Sequence, residues 1–141
     1  MRQWDGSVSN DWSVGGNWVG DLVPVAEDSV AVPIGVPNFP ALVSKTSIMG
    51  VEVADGATLS LGAFNLSAGA NVATGPTAGS GVLSTGGLLL LTGNSGVVQG
   101  RFPSLLVTGT YSLSGNVTAA GVQQVDYGEL DNPGFEFLSD A

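Results

Sequence analysis

The sequence predicts an all-β protein, and two observations lead to that prediction: frequent glycine and proline, and short runs of alternating apolar and polar residues. Glycine and proline interrupt the chain so often that the longest stretch without either runs only from Ala41 to Met49. That is shorter than an average helix of about 11–12 residues. Short runs such as Val51–Val53 and Thr58–Leu61 alternate apolar and polar side chains, which is typical of half-buried strands. Charged residues make up only 11% of the chain, against about 25% in typical soluble domains.

The length and the composition divide the chain into three zones. With 141 residues the chain has the size of one domain, which we place at residues 1–125. Residues 1–46 carry all three tryptophans and most of the prolines, and are predicted to form a cap or an arm. Residues 47–125 are the Gly-rich β core. Between residue 56 and residue 125 the sequence has a single charged residue, Arg101. Residues 126–141 hold five acidic residues and no basic one, and are predicted to form a C-terminal arm.

Two architectures fit the core. Gly-bearing turns separate aliphatic alternations at Thr58–Leu61, Leu105–Thr108 and Thr110–Leu113. Short strands stacked through such turns suit a short Gly-rich β-solenoid, a β-helix-like fold with the Trp/Pro-rich segment as its cap. Turn signals at this density equally suit a β-sandwich or jelly roll. We favour the solenoid and keep the sandwich as the alternative.

Composition excludes several classes of function. The chain has no cysteine and no histidine, so disulfides, thiol catalysis and His-based triads or metal sites are excluded. Three basic residues against twelve acidic ones make nucleic-acid binding through phosphates unfavourable. The apolar run Leu88–Leu91 is far shorter than the ~20 residues of a membrane helix, and the N-terminus has no pattern of a secretory signal.

Paired carboxylates are the one catalytic chemistry that the composition leaves open. No spacing defines a pair among the candidates, and acidic residues beside glycines are ordinary turn residues. The candidates are Asp5, Asp11, Asp21, Glu27, Asp28, Glu52 and Asp55. We therefore expect no enzyme, no cofactor and no metal site.

The three tryptophans, Trp4, Trp12 and Trp18, have two interpretations. They could form an aromatic platform on which sugar rings stack. They could instead bury about 150–250 Å² each as a cap over the end of the β core. Their position beside glycine and proline turns favours the cap.

The predicted partner contacts outside the tryptophans lie at Arg101 and in the tail. Arg101 either pairs with a carboxylate across a subunit contact or marks a solvent-facing loop. In the tail, Phe135, Phe137 and Leu138 could anchor an extended arm into a neighbour, and the strand-like alternation of Phe135–Phe137 suits addition to an open sheet edge. A frayed terminus and an oxygen-rich calcium segment are the other interpretations of the tail.

A family resemblance rests on the first zone. The pattern resembles the opening of bacterial β-helical surface proteins and of the G8 domain. It consists of Trp12, Gly16-Asn17-Trp18, Val23-Pro24, Asp28, Val30 and Val32-Pro33, followed by Gly56–Leu59. In those families the aromatic pair caps the first coil, and the Val-Pro…Asp-Val segment leads into it. The resemblance implies the same arrangement here, over less than half of the chain.

The overall type of the chain is similar to decoration, cement and fibre proteins of tailed bacteriophages. Scarce charge across the core indicates a surface that another copy or a partner covers, because charges normally keep sheet edges apart. This likeness implies a virion structural protein on the capsid exterior, made in the host cytoplasm. It would form a homotrimer and bind the major capsid protein, with no nucleic acid or membrane as partner. A carbohydrate-binding or adhesin module and a tail fibre or spike segment are the alternatives.

Overall fold

The computed structural model describes residues 1–74, 81–84, 87–93, 96–107, 110–125, 129–131 and 137–139. These residues contain β-strands, turns and one short 3-10 turn at Gly15–Asn17, which confirms the all-β prediction. The strands are β1 (Arg2–Gln3), β2 (Ser29–Val32), β3 (Thr46–Ile48), β4 (Gly50–Val53), β5 (Thr58–Gly62), β6 (Leu66–Ala68), β7 (Val72–Thr74), β8 (Gly81–Ser84), β9 (Leu89–Leu91), β10 (Gly96–Val107), β11 (Thr110–Val125), β12 (Glu129–Asp131) and β13 (Phe137–Ser139). Within this part of the chain no helix is long and apolar enough to span a membrane.

The strands pair in parallel. One sheet has the order β1-β2-β4-β7-β10-β9-β6-β3, with β11 on β10 and both β12 and β13 on β11, while β5 and β8 form a second sheet. Some partners are separated by other strands along the chain, as β4 and β7 or β6 and β9 are, while β1–β2, β9–β10, β10–β11 and β11–β12 pair directly. Because all these pairings are parallel, none of them is a hairpin. The predicted runs at Val51–Val53 and Thr58–Leu61 lie in β4 and β5.

The register of the parallel strands aligns residues of the same type across the core. Val30, Val51, Val72 and Val98 are successive partners across β2, β4, β7 and β10. All four side chains are buried, and the same face is continued by Val32 and Val53. A second buried row runs from Leu66 to Leu89 across β6 and β9. Because alternate residues of a strand face opposite sides, these rows form the core and the intervening residues face outwards.

Two of the predicted zones meet within the sheet. β2 lies in the first zone and pairs with β4 of the second, so residues 1–46 contribute a strand to the main sheet as well as the turns before it. In the third zone, β12 pairs with Thr110–Ser112 and β13 with Val117–Ala119. The described parts of the tail therefore add two more parallel strands along β11.

Tyr111 of β11 connects β6 with the residues that follow β9. Its side chain is fully buried, and its hydroxyl donates to the carbonyl oxygen of Ala68 (3.0 Å) while accepting from the backbone N–H of Gly93 (3.1 Å). Burial raises the pKa of the Tyr111 phenol above its usual value. Close to Tyr111, the backbone at residue 93 lies so near the backbone at residue 69 that only glycine fits there. A Cβ at Gly93 would clash with the carbonyl oxygen of Gly69.

Candidate functional site

The three tryptophans form one buried cluster at the β1 end of the sheet. Trp4 and Trp18 are fully buried and Trp12 is 3% exposed. The rings of Trp4 and Trp18 meet edge to face at 5.1 Å between centroids, and those of Trp12 and Trp18 meet in the same way at 4.7 Å. Aromatic pairs prefer this geometry because the positive edge of one ring meets the negative face of the other. This burial is the arrangement that the cap interpretation expects, and it leaves no open ring face for a sugar.

Each polar group of the two inner indoles has a partner in the chain. The indole N–H of Trp4 donates to the carbonyl oxygen of Asn38 (2.6 Å), and that of Trp18 donates to the carbonyl oxygen of Trp12 (2.9 Å). Gly6 has a φ of +59°, and a Cβ there would clash with the same Asn38 carbonyl. The tight approach of residues 6 and 38 thus depends on glycine.

Asn17 organises the loop beside this cluster. Its side chain is fully buried, and its oxygen accepts from the backbone N–H groups of Val8 (2.9 Å) and Ser9 (2.7 Å). Its amide donates to the Ser9 hydroxyl (3.0 Å) and to the Asp11 carbonyl (2.9 Å). All four hydrogen-bonding positions of the amide are therefore used. We call residues 4–22, which contain the three tryptophans and Asn17, the cap.

Asn17 belongs to the Asn17-Trp18 motif of the sequence, but the sequence predicts no role for its side chain. In the sequence, Asn17 stands directly before a tryptophan, within a segment rich in Ser, Asp and Gly. That signal shows a turn, but it does not show that one side chain binds three other residues. Those contacts depend on the path of the loop.

Three other members of the motif, Pro24, Asp28 and Val30, follow the cap along the chain. Pro24 and Val30 are buried, and Asp28 accepts from the backbone N–H of Val25 (3.0 Å) and from Arg2 Nε (3.3 Å). The Val25 hydrogen bond is the main cause that lowers the pKa of the Asp28 carboxyl, with Arg2 acting in the same direction. Hydrogen bonds from the Ser13 hydroxyl and backbone lower the pKa of the Asp11 carboxyl.

The other predicted contact residues lie apart from the cap in the chain. Arg101 is in β10, with its backbone in register with Thr118, so it lies within a strand and not in a loop. Phe137 and Leu138 are in β13, in register with Val117 and Thr118. Phe135 lies outside the described residues, and the structure describes no side chain of Arg101, Phe137 or Leu138.

The outer faces of the sheet differ in charge. Along β2, β4 and β7 the outward positions are Ala31, Glu52 and Ala73. A pocket of about 330 Å³ lies against these strands, lined by Met1, Glu52 and Ala73 among others. Along β3, β6 and β9 the outward positions are Ser47, Ser67 and Leu90. We call these last three residues the uncharged face. Among the described residues no cluster of three or more potential metal ligands occurs.

No protein-family model, no curated protein and no solved structure matches this chain.

Proposed function

We propose that the chain is a non-enzymatic structural protein that works by association, with the role of a capsid cement or decoration protein of a tailed bacteriophage. It forms a homotrimer and binds the major capsid protein on the outside of the head, after synthesis in the host cytoplasm. A short β-solenoid with the tryptophan cluster as its cap carries this role. The uncharged face is the observation that supports it.

The register supports the solenoid over the sandwich. In a sandwich or jelly roll, neighbouring strands run antiparallel and are often joined by hairpins, whereas parallel strands need a longer crossover. The recurrence of Val30, Val51, Val72 and Val98 at one position in parallel strands is the pattern of successive coils.

The uncharged face supports self-association. Copies of a chain with a net charge of −9 repel one another, least where acidic side chains are absent from the contact. Ser47 is exposed, Ser67 and Leu90 are half-buried, and Leu90 is in register with Leu106 of β10. This surface is built of small polar and aliphatic groups and carries no charge that would have to be buried. Three copies that place this face around a three-fold axis would cover it.

Native mass tests the association. We expect the wild-type chain to sediment as a trimer at low and at high salt, because the contact buries uncharged surface and salt screens the repulsion between copies. Ser67→Glu puts a charge without a partner into the contact and should give monomers. Ala73→Glu adds the same charge to the face that already carries Glu52, and should remain trimeric. A monomeric wild-type chain would contradict the proposed trimer.

Binding to heads tests the cement role. Purified chain should bind the mature, expanded heads of the phage whose genome encodes it, and should not bind the unexpanded precursor. A ligand that binds only one state stabilises that state, so binding should also raise the temperature at which the heads break open. Absence of binding to expanded heads would overturn the cement role and leave the trimer as a separate result.

A further inference from the structure

The β1 end of the main sheet is a strand edge that the cap covers. β1 is the outermost strand in the sheet order, and an outermost strand presents unpaired backbone groups to other chains. Trp4 N–H donates inwards to the Ala31 carbonyl of β2 (2.9 Å). Because neighbouring residues of a strand face opposite edges, Gln3 and Asp5 face outwards.

Those outward groups are already bonded to the cap. The Val19 N–H donates to the Gln3 carbonyl (2.9 Å), and the Asp5 N–H donates to the Asn17 carbonyl (2.8 Å). These two bonds make an antiparallel bridge between Trp4 and Trp18. A sheet whose other pairings are parallel thus has a short antiparallel segment on its outer edge, within the part of the chain that the structure describes.

The covering segment does not pass the edge on to another chain. The Trp18 N–H donates to the Gly15 carbonyl (2.9 Å), and the Trp18 carbonyl accepts from the Asp21 N–H (2.9 Å). Both backbone groups of the residue opposite Trp4 are therefore satisfied inside the segment. Beyond it the chain turns away through Gly20 and Asp21, both of which have positive φ.

We infer that residues 17–19 are an edge guard, which prevents the β1 end from pairing with a second copy of this chain. Release of the guard would expose the Gln3 carbonyl and the Asp5 N–H, and would turn this end into a self-association site. The guard acts on the end of the sheet, so this inference does not depend on the uncharged face or on the trimer.

Val19→Pro opens the guard with one substitution. It removes the N–H that bonds Gln3, and the preceding residue, Trp18, already has the extended conformation that a residue before proline prefers (φ −120°, ψ 139°). The Val19 side chain is 55% exposed, so little packing is lost. We expect the native mass to at least double relative to the wild-type assembly, and to rise further with protein concentration.

Two further variants separate edge pairing from other causes. Val19→Ala keeps the N–H and shortens the same side chain, so it should keep the wild-type mass. In the double variant Val19→Pro/Gln3→Pro, proline keeps the released Gln3 carbonyl but removes the Gln3 N–H, which faces outwards beside it. A second strand can then no longer bond both backbone groups of residue 3, and the mass should return to that of the wild type. Asn17→Ala, which loosens the guard from its other side, is the second way to open it should Val19→Pro fail to fold.

The inference is overturned by either of two results. One is a folded Val19→Pro or Asn17→Ala chain with the wild-type mass at every concentration. The other is a double variant that associates as strongly as Val19→Pro, since association would then use a different surface. Circular dichroism of each variant shows that the strands are retained, which distinguishes edge pairing from aggregation of unfolded chain.

Discussion

Asn17 holds the cap together through a single side chain. Four hydrogen bonds connect it to Val8, Ser9 and Asp11, and the side chain is inaccessible to water. Removal of such a group leaves inward-facing donors and acceptors without partners, which costs more than the net value of the bonds themselves. A substitution at Asn17 should therefore destabilise the cap more than the small size of its side chain suggests.

Asn17→Ala should lower the free energy of unfolding by roughly 2–4 kcal/mol. Urea unfolding followed by tryptophan fluorescence measures it, because all three tryptophans lie in the cap. Asn10→Ala is the matched control: Asn10 is in the same loop with an exposed side chain, and its substitution should cost less than about 0.5 kcal/mol. Equal effects of the two substitutions would contradict the role of Asn17.

Because of Tyr111, the stability of the core should vary with pH in the alkaline range. Burial raises the pKa of its phenol above the ordinary 10.0, so the folded chain holds this proton more tightly than the unfolded chain. The corresponding stabilisation is present below pH 10 and is lost as pH rises through the raised pKa. Tyr111→Phe should lower the free energy of unfolding by about 1–3 kcal/mol at neutral pH, since the Gly93 N–H loses its partner and the Ala68 carbonyl keeps only its bonds from Thr92.

Denaturant unfolding at several pH values checks this prediction. The difference in unfolding free energy between the wild-type chain and Tyr111→Phe should shrink above about pH 10 as the wild-type chain loses the contribution of its phenol. A difference that stays constant with pH would show that the Tyr111 hydroxyl contributes without being shielded from water.

At the scale of elements, the strands were predictable and their partners were not. Alternation at Val51–Val53 and Thr58–Leu61 identified β4 and β5, because a half-buried strand needs one apolar side whatever it pairs with. The same alternation occurs in parallel and antiparallel sheets, so it does not define the register of Val30 on Val51. The antiparallel bridge between Trp4 and Trp18 depends on a turn of the cap, and no local pattern marks it.

The cap and the segment that joins it to β2 should loosen in acid. Asp28 has a lowered pKa, first because its carboxylate accepts from the Val25 N–H and also because Arg2 is close. A lowered pKa in the folded chain gives stabilisation that is present above the ordinary value of 3.8 and is lost as pH falls through the folded value. The carboxylate of Asp11 acts in the same direction through Ser13.

Asp28→Asn should remove part of this acid dependence. The wild-type chain should be the more stable of the two at neutral pH, and the difference should narrow as the pH falls below about 4. Tryptophan fluorescence during an acid titration measures the cap directly, and circular dichroism of the same samples follows the strands. A difference between the two chains that does not change with pH would contradict the contribution of the Asp28 charge.

At the scale of the molecule, the acidic residues are unevenly distributed, and this separates two surfaces that should respond differently to substitution. The acidic residues of the described chain lie in the cap, in the residues between the cap and β2, and around β4, and again in β12, whereas the uncharged face carries none. Ser67→Glu and Val19→Pro therefore test opposite effects on association, since one should remove contacts between copies and the other should create them. If Ser67→Glu lowers the native mass and Val19→Pro raises it, the uncharged face and the β1 end of the sheet are separate association surfaces.

The valine row also sets an order in which the chain can fold. Each strand from β4 onwards along this row pairs with a strand that precedes it in the sequence, so Val30 needs only β1, Val51 needs Val30, and Val72 needs Val51. A chain that leaves the ribosome from its N-terminus therefore produces every template before the strand that pairs with it. The N-terminal half can assemble while the C-terminal half is still being synthesised, and each new strand extends an edge that already exists.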